Sequence, residues 1–307
     1  MKNLEEIIKA TQTILFGKLL EMFRNNVIYS KNNFILVKGV APILLVAHLD
    51  TVHEKPVRDI CKSGDGNILM SPQGIGGDDR CGVYTLVKSY ERSEIKPHLL
   101  FTCNEENGGL GAKSFVKCLD KLSPELFNLK CIVEIDRKGS NDAVYYDCDN
   151  SEFEKYITGK GFETAQGSFS DISVIAPALG VAGVNLSSGY YNAHRLHEYI
   201  NRAELETTIT KVIEIVDDSS QKDFPRYDYI EKITASHYDY WQIEAMSIPK
   251  DLPEEYHELY CSLLDIYPAE VLDDWRKTYG DKILWEVYIE EFDPFYADSR
   301  QVTTFRK

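Results

Sequence analysis

A histidine and an aspartate two positions apart close the apolar run Leu44-Leu45-Val46-Ala47-His48-Leu49-Asp50-Thr51-Val52, a spacing that suits metal chemistry. Alternate residues of a strand share a face, so His48 and Asp50 can point the same way, the acid holding one imidazole nitrogen while the other faces a cation. The competing reading is a strand end with two solvated polar residues. Other acids bear on the choice. Asp78 follows the glycine-rich run Gly74-Ile75-Gly76-Gly77, Glu105 and Glu106 follow the run His98 to Cys103, and Asp136 follows Cys131 to Ile135. His194 lies in the loop after a further apolar run, Val181 to Leu186.

The elements that must position these residues are legible in outline. Helical spacing of Leu4, Ile7, Ile8, Thr11, Ile14, Leu15, Leu19, Met22 and Phe23 predicts one amphipathic helix over 4–23. Phe34 to Val37 and Ile43 to Ala47 read as strands, the second apolar on both faces like a central strand of a helix-covered sheet. Helices are expected from Asp79, after Gly109, near 151–156 and near 172–178, and strands at 98–103, 131–135, 143–148 and 181–186. Asn201, Glu204, Ile200 and Leu205 compose a capping box with a hydrophobic staple, opening a helix that carries Ile209, Val212, Ile213 and Val216. Strands alternating with helices predict a three-layer α/β sandwich with a mostly parallel, mixed central sheet. The stretch between Asp136 and His194 is consumed by such elements, so no inserted lid domain is expected. A catalytic domain is expected over 1–218, and a mainly helical, aromatic-rich extension over 219–307, with possible helices at 254–264 and 268–279 and a role in packing or oligomer contact.

Composition bounds the function. The chain has 307 residues, 43% of them hydrophobic, and a formal charge of −15 with a pI near 5.0. That balance argues against nucleic acid and anionic membranes as partners. No apolar run reaches membrane-spanning length, and Met1 to Glu6 lacks the order of a secretory signal, so a cytoplasmic location is expected. Seven scattered cysteines without a Cys-x-x-Cys pair suit reduced thiols.

In open α/β sheets ligands bind at the carboxyl ends of the strands. There His48, Asp50, Asp78, Glu105, Glu106, Asp136 and His194 would converge, and five ionised carboxylates packed together need bound cations. If Asp78, Glu106 and Asp136 are ligands and one hydroxide joins them, two divalent ions balance the charge. Imidazole with carboxylate suits zinc, with cobalt or manganese able to substitute.

His48-Leu-Asp50-Thr-Val, Gly76-Gly-Asp78-Asp79-Arg-Cys-Gly82, Asn104-Glu105-Glu106-Asn-Gly-Gly109, Ile135-Asp136-Arg and Asn192-Ala-His194, with Glu198 four on, together resemble the ordered signature of the co-catalytic di-zinc exopeptidases. That clan includes tripeptidase T, carboxypeptidase G-like enzymes and zinc aminopeptidases, and the match covers residues 43 to about 200. The resemblance implies that His48 and Asp136 hold one zinc, Glu106 and His194 the other, and that Asp78 bridges them. It implies that Asp50 orients His48, that Glu105 is the general base, and that the Asp78-Asp79 peptide is cis. His197 competes with His194, and the gap to Glu198 in the family pattern favours His194. His53 is read as a rim residue, and His98, His237 and His257 as structural or solvated. Ser168-Phe-Ser170-Asp171 is either a substrate-contacting loop or a plain helix cap, and Tyr190 and Tyr191 either contact an oxyanion or pack on the sheet. The activity expected is removal of N-terminal residues from short peptides. The alternatives are deacylation of N-acyl amino acids, a glutaminyl-cyclase-like acyl transfer and a non-catalytic metal-binding or interaction protein; a homo-oligomer is possible.

Overall fold

The computed structural model describes residues 3–31, 33–122, 128–232, 249, 251–253, 256, 259–260, 263, 267 and 269–292. The chain divides into two compact units, Met1–Lys232 and Ile233–Lys307.

The first unit is a three-layer α/β sandwich. Its eight-stranded sheet runs in the order β1 (Val27–Lys31), β2 (Phe34–Val37), β6 (Pro97–Thr102), β3 (Ala41–His48), β7 (Cys131–Arg137), β10 (Gly183–Ser187), β8 (Asp142–Val144), β9 (Glu163–Thr164). The four central strands β6, β3, β7 and β10 are parallel, whereas β2 and β8 flank them antiparallel, so the sheet is mixed. Strand β3 is buried almost throughout, as its two-sided apolar sequence requires.

Alternation along the strands sorts the core into two layers. Ile43, Leu45, Ala47, Val133 and Ile135 face one layer, built from α2 (Gln12–Met22), α3 (Gly77–Arg92), α5 (Ser151–Gly159) and α7 (Arg202–Ser219). Leu44, Val46, Leu100 and Ile132 face the other, built from α4 (Leu110–Val116) and α6 (Asp171–Leu179). Helix α7 opens with the expected cap and staple, but the return half of the capping box is not made, because the Asn201 N–H donates to Gly189 O at 2.8 Å and the Glu204 carboxylate accepts from Tyr191. The Asn201 side chain accepts from the Glu204 N–H at 3.4 Å, and Ile200 and Leu205 share one buried cluster.

Three features differ from the sequence reading. The N-terminal helix is two, α1 (Leu4–Ile8) and α2, because Thr11 leaves the helical stripe to cap α2 by accepting from the Ile14 N–H. A second, antiparallel sheet joins β11 (Tyr190–Tyr191), β12 (Tyr199–Asn201), β5 (Ile68–Met70) and β4 (Cys61–Lys62), strands too short to show a period. The first compact unit ends at Lys232 and not at the expected 218, the stretch after Asp218 packing as expected for the extension: the Tyr227 ring lies 5.0 Å from that of Phe153, and Ala182 N–H donates to Tyr227 O at 2.8 Å.

In the second unit α8 (Ala269–Tyr279) and α9 (Ile283–Phe292) are described, with a small core of Leu252, Tyr256, Leu259, Tyr260, Leu263, Leu272 and Leu284. The expected helix at 254–264 falls largely outside the described residues, as do His237 and His257. Among the described residues no helix is long and apolar enough to cross a membrane.

Candidate metal centre

The alternation that sorts the core also places the polar residues at the strand ends. His48, Thr102, Glu134, Asp136 and Asn185 follow the parity of the α4/α6 face, the first four one or two turns of the pleat beyond Val46, Leu100 and Ile132. Three further loops close on this edge. They are the non-helical opening of α3 with Asp78, the turn between β6 and α4 with Glu105 and Glu106, and the loop after β11 with His194.

His48 Nε2 lies 3.0 Å from Asp78 Oδ1 and 3.4 Å from Asp136 Oδ1. His194 Nε2 lies 3.2 Å from Asp78 Oδ2 and 3.2 Å from Glu106 Oε1. The Asp78 carboxylate therefore stands between two imidazoles, one oxygen to each, and each imidazole has a second carboxylate beside it. His197 is exposed and makes no such approach among the described residues; only its main-chain carbonyl is engaged, by Asn192 at 3.5 Å.

Asp50 does two jobs. Its Oδ1 is 3.3 Å from His48 Nδ1, and its two oxygens accept the Glu105 and Glu106 N–H groups at 3.1 Å each. One carboxylate thus ties the His48 strand end to the turn that carries both glutamates. The Asp78-Asp79 peptide is cis. Asp79 accepts from His48 N–H at 3.1 Å and Gly82 N–H at 2.8 Å. Gly82 is needed there: a Cβ would come 2.2 Å from Ile135 O and 2.4 Å from the Asp79 oxygens.

The electrostatics call for added positive charge. Burial, then the neighbouring Asp78 carboxylate, lifts Asp136 to about 7, and burial with Asp136, Asp171 and Glu106 nearby lifts Glu105 to about 9. Bonds to Asp78 and Glu106 raise His194 to about 10. Burial disfavours a charged His48, yet the Asp136 charge and bonds to Asp136, Asp50 and Asp78 together outweigh it and raise the imidazole's pKa. Burial likewise opposes a charged Asp78, and its bonds to His194 and His48 outweigh that and lower it.

The donor set fits a divalent cation. One atom from each of His48, Asp78 and Glu106 lies within 4.8 Å of the other two, and His48, Asp79 and Asp136 form a second such group. Asp79 is the weaker member, because its oxygens already accept main-chain hydrogen bonds. Glu106 Oε1 is buried without a hydrogen-bond partner among the described residues, although His194 Nε2 lies 3.2 Å away. Close approach without hydrogen-bond alignment is expected of donors converging on an ion. Imidazole with carboxylate suits zinc and related metals.

Several residues position the centre from behind. Glu198 is fully buried; its Oε1 accepts from Asp78 N–H at 3.0 Å, and its Oε2 accepts from Gly76 N–H at 3.0 Å and meets His53 Nε2 at 2.9 Å. It grips the turn that presents Asp78, and His53, expected at the rim, braces it. Asn185 clamps Asp136, accepting from its N–H at 2.8 Å and donating to its carbonyl at 3.3 Å, while the Tyr190 hydroxyl donates to the same carbonyl at 3.1 Å. Asn185 also donates to Ser170 Oγ at 3.1 Å, and Ser170 donates to the buried Glu134. Tyr191 points elsewhere, to Glu204 at 2.5 Å. His98 is buried and accepts from Gly39 N–H at 3.3 Å, a structural role. A signal for Glu134 was present: an acid inside Cys131-Ile-Val-Glu-Ile-Asp136 with the same parity as Asp136.

No family model matches the chain, and no curated protein matches it. Solved structures do. A tripeptidase from Staphylococcus aureus matches at TM-score 0.54 with 15% identity, covering 70% of this chain and 96% of that one. Aminopeptidase PepT from Bacillus cereus matches at TM-score 0.53 with 15% identity, covering 71% of this chain and 97% of that one. The chain has the fold of these peptidases. An aminopeptidase from the archaeon Desulfurococcus kamchatkensis, at TM-score 0.53 and 15% identity over 70% of this chain and 93% of that one, shares it too. The fold expected from the ordered motifs is the fold found.

Proposed function

We propose that the chain is a metal-dependent exopeptidase that removes N-terminal residues from short peptides. The observation that carries this reading is the Asp78 carboxylate held between His48 and His194, 3.0 and 3.2 Å away, with Asp136 and Glu106 at their sides. His48 and Asp136 would hold one zinc ion, Glu106 and His194 a second, and Asp78 would bridge them. Bound there, such a pair polarises the scissile carbonyl and activates a water.

The protein's own groups do the rest. Glu105, in the turn fixed by Asp50, takes the proton from the attacking water and returns it to the leaving amine. Asp50 keeps the His48 ring in register with that turn, and Glu198 and Asn185 fix Asp78 and Asp136 from behind. The activities named for the tripeptidase and aminopeptidases of like fold support the reading. Six described cysteines are free thiols, which suits the reducing cytoplasm in which we place the protein.

The test is a panel of short peptides with free or acyl-blocked N-termini, assayed before and after chelation. Cleavage of free-amine peptides that chelation abolishes and zinc restores is the expected result. Cleavage confined to acyl-amino acids would move the assignment to a deacylase, and no cleavage of either would overturn the hydrolase reading.

A further inference from the structure

On the Asp50 side a cleft of about 290 Å³ is lined by Asp50, His53 and Asn104 together with the apolar Ile8, Val57 and Ile75. The loops on the Glu106–His194 side carry exposed large apolar side chains. Phe169 is 42% exposed, Leu110 46% and Leu196 63%.

The loop leading into α6 is pinned from below: Ser170 donates to Glu134, and Thr102 donates to Asp171, both carboxylates being fully buried. Ser170 has extended backbone, with φ −170° and ψ 171°, so Ser170 and its neighbour Phe169 project to opposite sides. Ser170 points into the network beneath the centre, and Phe169 therefore points out of it. The Phe169 ring lies on the turn that bears Glu105 and Glu106, with Cζ 2.7 Å from where a Cβ on Gly109 would stand. That turn is closed by Gly109 N–H donating to Glu105 O at 2.8 Å. Leu110 is the next residue, and Leu196 stands two beyond His194, whose Nε2 is 3.2 Å from Glu106. Single exposed leucines need no explanation. An aromatic ring held by buried anchors on the turn that carries two functional acids, with leucines on the joined loops, resembles the apolar lining of a ligand site.

Resting on the exopeptidase reading, we propose that Phe169, with Leu110 and Leu196, forms an apolar seat for the substrate side chain next to the scissile bond, selecting peptides with a large aliphatic or aromatic residue there. Phe169 is then a specificity-determining residue. A glycyl, alanyl or aspartyl residue leaves the seat unfilled.

The test measures binding apart from turnover, with leucine, glycine and aspartate hydroxamates titrated by calorimetry into the zinc-loaded full chain. Leucine hydroxamate should bind at least about tenfold tighter than the other two, the discrimination that a few apolar carbons supply in an apolar pocket. Phe169→Ser should cut the preference to about twofold with metal content unchanged. Equal binding of the three probes, or a preference that survives Phe169→Ser, would overturn the seat. Peptide turnover separates this inference from the reading beneath it. A leucine preference in binding without any hydrolysis refutes the exopeptidase and keeps the seat, whereas hydrolysis indifferent to leucine, alanine or aspartate keeps the exopeptidase and refutes the seat.

Discussion

Replacing Glu198 by glutamine asks whether a residue that touches no substrate sets the geometry of the centre. In the native chain three donors converge on its carboxylate: Asp78 N–H, Gly76 N–H and His53 Nε2. Glutamine has the same shape but offers one acceptor oxygen and one NH₂. His53 can answer the change by exchanging tautomers and accepting from the NH₂. A main-chain N–H cannot, so either Gly76 or Asp78 is left with a buried, unpaired donor in every rotamer. The penalty for such a donor is about 1–3 kcal/mol, to be read as a loss of unfolding free energy in urea. The same change loosens the turn that aims Asp78 at both imidazoles. Loss of an outer partner of this kind lowers metal affinity by about 10–100-fold, to be read by competition against a chromophoric chelator. Affinity within twofold of the native protein, with stability reduced, would show that Glu198 serves the fold alone and that Asp78 does not depend on it.

Two further outcomes are expected. Glu105→Gln should keep both metals and the unfolding midpoint while lowering kcat by about 10²–10⁴-fold, and undiminished kcat would remove Glu105 from proton transfer. Asn201→Ala removes the side chain that caps α7 and should lower unfolding free energy by about 1 kcal/mol without changing metal content; an unchanged urea midpoint would deny the cap its role.

What the sequence could reveal followed from local rules. The central strands were legible because Ile43 to Ala47 and Cys131 to Ile135 are apolar on both faces, and α7 because Asn201 and Glu204 stand at capping distance. The centre was legible because His48 and Asp136 end strands, and Asp78 and Glu105-Glu106 lie in glycine-marked turns. Roles that act across the chain were not. Glu198 stood among the ordered motifs, but its grip on Gly76, Asp78 and His53 arises only through tertiary folding, and Asn185 reaches Asp136 from a neighbouring strand. Strands of two or three residues, such as β4 and β11, are too short for alternation to register. Thr11 fits a helical stripe and a cap equally well by type, and only its hydrogen bond to Ile14 distinguishes the two.

The central claim is that Asp78 joins two cation sites, and counting ions per chain tests it most directly. Native mass spectrometry of the zinc-loaded protein should find two zinc ions on each native chain and fewer than two on Asp78→Ala. A native chain that binds none or one, or an Asp78→Ala chain that still holds two, would contradict it.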